Sequence, residues 1–212
     1  MPDADVSILR GLETHAPYGH IFEQLLRESK WQQREMNMYG SKVKQPRLTA
    51  WYGDPSRRYL YSGIKNIPLP WTDLLLELRR RIEDATFSGF NSVLLNLYRD
   101  QNDSMGFHSD DEKELGPEPT IASLSFGEVR TFIFKHKFKS ELPPVHLPLR
   151  EGSVLLMQGS TQRHWKHAIN RETRPCGPRI NLTFRHVFTA AELDDLKRQE
   201  FAEVRGRRSH LH

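Results

Sequence analysis

The sequence predicts a mainly β domain, a sandwich or jelly roll flanked by helices, on three observations. Eight short β-type runs occur, most of them bounded by Gly, Pro, Asn, Asp or Ser, a spacing that suits rolls and sandwiches. Helical periodicity is confined to three segments. Neither a GxGxxG nor a GxxxxGKS/T phosphate loop is present, which argues against the nucleotide-binding parallel α/β folds.

In chain order, residues 18–30 form the first predicted helix, with Ile21, Phe22, Leu25 and Leu26 at helical spacing. "RLTAWYG" (47–53) and "RYLYSG" (58–63) read as strands. Residues 69–86 form the strongest helix. Leu74, Leu78, Ile82 and Ala85 make one stripe, Pro70 stands at the entrance, and Glu77 and Arg81 form an i,i+4 pair. Six further strands follow: "SVLLNLYR" (92–99), "IASLSFG" (121–127), "RTFIFKHK" (130–137), "VHLPLR" (145–150), "SVLLMQG" (153–159) and "RINLTFRHVF" (179–188). A capping box, "TAAE" (189–192), announces a last helix.

At 212 residues the chain can bury a sizeable core. No apolar run approaches the ~18 residues of a membrane span. The opening "MPDADVSILRGLETH" is acidic and lacks the apolar core of a secretory signal. We therefore expect a chain of the cytoplasm, or of the nucleus if eukaryotic, with no membrane partner. The single cysteine, Cys176, excludes an internal disulfide and suits a reducing compartment. With 31 Lys and Arg against 27 Asp and Glu, the net charge is +4. Arg79 to Arg81 read as a solvated helix face. The cluster "SKVKQPR" (41–47) is a candidate contact for a polyanion.

The strands carry a chemical signal. Alternation puts Arg179, Asn181, Thr183 and Arg185 on one face of their strand and Ile180, Leu182 and Phe184 on the other. Asn96 and Tyr98 likewise share a face opposite Leu95 and Leu97. If both polar faces turn inward, the interior holds two guanidiniums, and buried cations demand an anion. A dicarboxylate suits two arginine forks. In "GFHSDDE", His108 and Asp110 point the same way when extended. A third ligand from "QRHWKHAI", either His164 or His167, would complete the two-histidine, one-carboxylate face of non-haem Fe(II) oxygenases. Spacing alone separates neither these two histidines nor His136, His146 and His186, and zinc competes on ligand type.

Taken together in order, "NLYRDQNDSMGFHSDDE", "IASLSFG", "LPLREGSVLLMQG", "HWKHAI" and "PRINLTFR" closely resemble the AlkB family of Fe(II)- and 2-oxoglutarate-dependent nucleic-acid dioxygenases. The animal branch that repairs alkylated DNA is the best match, and the likeness runs from about Met38 to Val187. The resemblance implies a double-stranded β-helix (jelly roll) with an N-terminal nucleotide-recognition lid. It implies helices and lid over 1–90, a catalytic core over 91–188, and a helix and basic tail over 189–212, in one integrated domain.

By the same resemblance His108, Asp110 and His167 are the catalytic metal ligands, and His164 is not one. Asn96, Tyr98, Arg179, Asn181 and Arg185 hold 2-oxoglutarate, with Thr183 in the same pocket. Arg179 clamps the far carboxylate and Arg185 lies nearer the metal. Tyr59, Tyr61 and Ser62 belong to the lid, and Glu112, with Asp111 beside it, reads the exocyclic amine of the damaged base. Met38, Tyr39 and Gly40 stand near the tip of a nucleotide-flipping hairpin. The implied activity is the removal of methyl groups from 1-methyladenine and 3-methylcytosine in DNA, or in RNA, using Fe(II), 2-oxoglutarate and O2. Succinate, CO2 and formaldehyde are the products, and the protein acts as a monomer. The competing readings are an RNA demethylase or protein hydroxylase of the same mechanism, or a non-catalytic nucleic-acid-binding module.

Overall fold

A computed structural model describes the backbone of residues 1–38, 40–55, 57, 59–61 and 64–209, and the side chains of these except 36–38, 59–61, 64–66 and 200–209. The chain begins with β1 (Asp5–Leu9) and α1 (Tyr18–Glu28), then β2 (Glu35–Met38), β3 (Ser41–Lys44), β4 (Leu48–Gly53), β5 (Tyr59–Tyr61) and β6 (Ile64–Asn66). After α2 (Asp73–Thr86) come β7 (Ser92–Tyr98), β8 (Met105–His108), β9 (Ile121–Gly127), β10 (Arg130–His136), β11 (Val145–Leu149) and β12 (Val154–Gln158). The short α3 (Thr161–His164), β13 (Trp165–Ile169), β14 (Arg179–Arg185) and α4 (Ala190–Ser209) close it.

Two sheets face each other. The larger runs β1-β12-β9-β14-β7-β4 and the smaller β11-β10-β13-β8. From β7 onward the chain crosses back and forth between them, the order of a jelly roll. All eight strands expected from the sequence are present. Among those not expected, β1 pairs with β12 from Asp5↔Gln158 to Leu9↔Val154. The others are β2, β3 and β6 of the two small hairpins, and β8 and β13, the two short strands beside the polar loops. Residues 1–90 thus supply two strands of the large sheet, β1 and β4, as well as helices and hairpins.

The outer face of the large sheet is covered by α1 and α2. Val93, Leu95, Leu97, Leu124, Ile180, Leu182 and Phe184 pack there with Ile21, Phe22 and Leu25 of α1 and Leu74, Leu75, Leu78 and Ile82 of α2. The α2 stripe differs from expectation at one place. Ala85 is exposed and Leu75 takes the buried position, because the helix sits rotated toward its first turn. Thr72 caps α2 by accepting from Leu75 N at 3.3 Å. The expected pair of Glu77 and Arg81 forms, with both side chains half-buried. Between the sheets lies a second cluster, with Tyr98, Ile121, Phe132, Phe134, Met157, Trp165 and Ile169.

Gly127 ends β9 in the left-handed region, at φ +79°. A Cβ there would stand 2.5 Å from Pro178 O, so only glycine lets this turn lie against the start of β14.

The capping box before α4 forms as expected. Glu192 N donates to Thr189 Oγ1 at 3.3 Å, and Thr189 N donates to Glu192 Oε2 at 2.7 Å. Arg57, which leads into β5, also donates to Glu192 and to Val187 O. The Arg57 contact, with Thr189 N after it, pushes the Glu192 carboxyl down to about 2. Because the folded value lies below the ordinary 4.5, the linked stability is fully present above pH 4.5 and is lost as pH falls toward 2. Glu192→Gln is therefore expected to flatten the acid limb of a thermal-melt series between about pH 4.5 and 2. An unchanged limb refutes the linkage.

Candidate metal and cosubstrate site

The polar face of β14 turns into the space between the sheets. Arg179, Asn181, Thr183 and Arg185 line one pocket with Leu94, Asn96 and Tyr98 of β7, Met105 and His108 of β8, Asp110, Phe132, and His167 of β13. Both faces of β14 are buried along its whole length. The register explains the meeting, since Arg179 stands opposite Tyr98 and Asn181 opposite Asn96.

His108, Asp110 and His167 form a three-residue cluster whose ligand atoms lie within 4.8 Å of one another. His108 Nε2 is 3.9 Å from Asp110 Oδ1, and His167 Nε2 is 3.8 Å from Asp110 Oδ2. Cross-strand pairing sets His167 directly beside His108. His108 Nδ1 donates to Gly106 O at 2.9 Å, which leaves Nε2 as the lone-pair atom facing the cluster. Burial, with His108 close by, pushes the His167 imidazole down to about 3, so it is neutral near pH 7. Phe132 stacks on that ring at 4.9 Å. Burial alone would push the Asp110 carboxyl up, but the positive surroundings, the Arg185 guanidinium first, bring it below the usual carboxylate range and hold it ionised. Arg185 Nη2 donates to Asp110 Oδ1 at 2.6 Å. A neutral imidazole and an ionised carboxylate are the forms that bind a metal.

The histidines that spacing left open are now separated by geometry. His164 Nδ1 donates to Ser160 O at 3.1 Å, on the far side of the turn. His136 Nδ1 accepts from Phe138 N and Lys139 N at 3.1 and 2.9 Å, while Nε2 faces Asp3. His146 is exposed on β11, and the His186 ring packs against Phe188.

At the other end of the pocket Arg179 is 1% exposed. Its Nη2 donates to Ser125 Oγ at 3.0 Å, and its Nε and Nη1 are buried without a partner. Burial pushes the guanidinium down to about 10, so it stays charged at neutral pH. A buried charge with two free donors is a costly arrangement unless an anion completes it. Asn181 donates to Ser123 Oγ at 2.7 Å and accepts from Thr183 Oγ1 at 3.0 Å, which fixes its amide beside the pocket.

Two residues of the predicted basic cluster prove to be interior. Gln45 and Arg47 are 3% and 5% exposed. Arg47 Nε donates to Asn96 Oδ1 at 3.0 Å, so this cation points at the pocket and not at a phosphate backbone. Lys42 and Lys44 remain on the surface of β3. The β2–β3 hairpin exists, with Gly40 at φ +80° in its turn. Asp111 is exposed and pairs with Lys137 at 2.9 Å, whereas Glu112 has its Oε2 buried without a partner. Tyr39 and Ser62 lie outside the described residues, and so do the side chains of Met38, Tyr59 and Tyr61.

Sequence reasoning missed Gln162. It is 1% exposed, and its Oε1 accepts from Asp110 N at 3.0 Å. Lys137 Nζ donates to Gln162 O at 2.8 Å as well as to Asp111, and Ser109 Oγ donates to Trp165 O at 2.9 Å. These bonds hold the "HSDD" loop against α3 and β13. Only a polar residue five positions before His167 hinted at this in the sequence.

Comparison with known proteins agrees with this geometry. The family model described as the 2OG-Fe(II) oxygenase superfamily matches residues 5–185. The chain is 46% identical over 176 residues to the Bos taurus "Alpha-ketoglutarate-dependent dioxygenase alkB homolog 3", covering 79% of this chain and 61% of that one. It is 37% identical over 194 residues to the Homo sapiens "DNA oxidative demethylase ALKBH2", covering 87% and 73%. The chain thus spans about three fifths of the length of the first of these relatives. Among solved structures, "The structure of OsALKBH1" matches with a TM-score of 0.59 at 18% identity, over 85% of this chain and 97% of that one, which shows the shared fold.

The three-residue cluster makes a direct prediction. His108→Ala, Asp110→Ala and His167→Ala should each weaken Co(II) binding, read from its visible absorption, by at least about tenfold. His164→Ala should bind as the parent chain does. A parent-like titration for His167→Ala, with loss in His164→Ala, would reverse the assignment.

Proposed function

The chain belongs to the 2OG-Fe(II) oxygenase superfamily and, within it, to the AlkB family, and on that premise we propose that it oxidatively demethylates N-alkylated bases in nucleic acid. The substrates are 1-methyladenine and 3-methylcytosine in DNA, with RNA as a second polymer, in the cytoplasm or, in a eukaryotic cell, the nucleus. The observation that carries the reading is the buried, half-unpartnered Arg179 in one pocket with the His108, Asp110 and His167 cluster.

The donor set suits Fe(II), because two imidazoles and a carboxylate on one face leave positions open for a chelating cosubstrate and O2. The two free donors of Arg179 suit the distal carboxylate of 2-oxoglutarate. When bound, these groups supply the oxidation of an N-methyl C–H to a hydroxymethyl, which leaves as formaldehyde while 2-oxoglutarate becomes succinate and CO2. The protein's part is placement. Arg185 keeps one Asp110 oxygen occupied and the carboxylate fixed, Asn96 and Tyr98 shape the cosubstrate wall, and Asn181 and Thr183 form its floor. Phe132 and Met105 keep the metal side apolar.

Base recognition falls to the loop after Asp110 and to the lid. The unpartnered Glu112 Oε2 supports its role as acceptor for an exocyclic amine. To Tyr59 and Tyr61 we assign stacking on a flipped, cationic base, a contact of about 0.5–2 kcal/mol from the cation alone. Tyr39, Ser62 and Asp111 complete the proposed contact set, with Asp111 tied to Lys137.

The test is succinate and formaldehyde release with oligonucleotides carrying 1-methyladenine or 3-methylcytosine against unmethylated controls. Release should track methylation, and equal release from both would remove the proposal. In the same assay Glu112→Ala should lower kcat/KM on 3-methylcytosine by about tenfold or more, one charge-assisted hydrogen bond. The loss on 3-methylthymine, uncharged and without that amine, should be smaller. Equal losses would leave Glu112 with only a structural part.

A further inference from the structure

A second guanidinium is buried behind Arg179. Arg130, at the start of β10, is 0% exposed. Its Nη2 donates to Asp103 O at 2.8 Å and to Asn170 O at 2.5 Å, and its Nη1 donates to Asp100 O at 3.3 Å. Its Nε donates to the Glu172 carboxylate at 3.2 Å, and Glu172 is 37% exposed on its side chain. These acceptors come from two loops. Asp100 and Asp103 belong to the β7–β8 loop, and Asn170 and Glu172 to the β13–β14 loop. The four strands so joined carry Tyr98, His108, His167 and Arg179.

Arg130 also touches the pocket wall itself. Its Cζ lies 5.5 Å from the Tyr98 ring centroid, and Arg179 Cζ lies 5.4 Å from the same centroid. The two cations therefore stand within about 11 Å of each other. Arg130 lowers the Arg179 guanidinium further after burial has done so, as a neighbouring positive charge must. A buried cation paired with a partly exposed carboxylate leaves a net positive potential inside, since solvent screens the outer partner more than the inner one.

We propose that Arg130 is a positioning and specificity residue of the cosubstrate pocket. It holds the Tyr98 ring beside Arg179, staples the two loops, and adds a second buried positive charge that selects a dicarboxylate over a monocarboxylate. The inference rests on the reading of Arg179 as the carboxylate anchor.

The experiment is calorimetric titration of the Mn(II)-loaded chain, without O2, with 2-oxoglutarate and with 2-oxopentanoate, which has the same carbon chain but no distal carboxylate. The readout is the ratio of the two Kd values, in which losses common to both ligands cancel. Arg130→Gln should shrink the ratio by a few-fold, less than the roughly tenfold that one unpaired charge at ~11 Å and an effective dielectric of ~20 would give, because Glu172 partly offsets the guanidinium. Glu172→Gln, at a half-exposed position outside the pocket, leaves Arg130 in its carbonyl cage without its anion and should widen the ratio. It keeps the question open to refutation if Arg130→Gln does not fold. Arg179→Ala should collapse the ratio. If Arg179→Ala leaves it intact, the reading of the pocket fails. If Arg179→Ala collapses it while neither Arg130→Gln nor Glu172→Gln changes it, the inference about Arg130 alone fails.

Discussion

Burial of the polar face of β14 is the constraint on which the rest of the structure depends. Ile180, Leu182 and Phe184 anchor the strand to the helices, and so force Arg179, Asn181, Thr183 and Arg185 into the space between the sheets. A charge placed there costs several kcal/mol unless it is answered. Arg185 is answered by Asp110, and that ion pair fixes the carboxylate within the histidine cluster. Arg179 is answered in the described residues by one serine hydroxyl and an aromatic ring. The fold thus stores a demand for an anion in a set place, a short distance from three metal-binding groups.

The two ends of the pocket are held in different ways. At the cluster end, support is a set of short hydrogen bonds: Gln162 to the Asp110 backbone, Ser109 to Trp165, and Lys137 bridging Gln162 and Asp111. These bonds hold a loop, which would otherwise sample many conformations, against the regular structure of β13. At the cosubstrate end, support comes from the strand ladder itself, with β7, β14 and β9 in unbroken register from Arg179 to Arg185. Precision in metal geometry is thereby assigned to side-chain networks, and placement of the arginines to backbone pairing.

Charge was the least legible property in the sequence. "SKVKQPR" reads as one basic surface cluster, yet Gln45 and Arg47 turn inward, and of its three cations Lys42 and Lys44 alone face solvent. The reason is that Leu48 to Gly53 form an edge strand of the large sheet, and the residues leading into it are drawn under the β7 edge toward Asn96. Ala85 failed for a related reason. Helical periodicity defines a stripe, but the rotation of that stripe is set by the sheet it packs on, and here Leu75 won the position.

The sequence by itself determined eight of the fourteen strands, because alternation and turn residues are local, and it determined the pairing of roles on β14, because period two separates its apolar and polar faces without reference to anything else. It also carried the capping box of α4, a contact that spans only three residues. What only the tertiary structure decided is which side chains meet across long separations. Spacing left His164, His136, His146 and His186 open beside His167, and apart from the family resemblance it is the register of β13 against β8 that sets His167 beside His108. The short strands β1, β8 and β13, which belong to the two facing sheets, and the support from Gln162 and Arg130 were invisible for the same reason. Their stabilisation comes from partners dozens of residues away, and no local pattern in the chain encodes a contact that exists only once the two sheets have closed on each other.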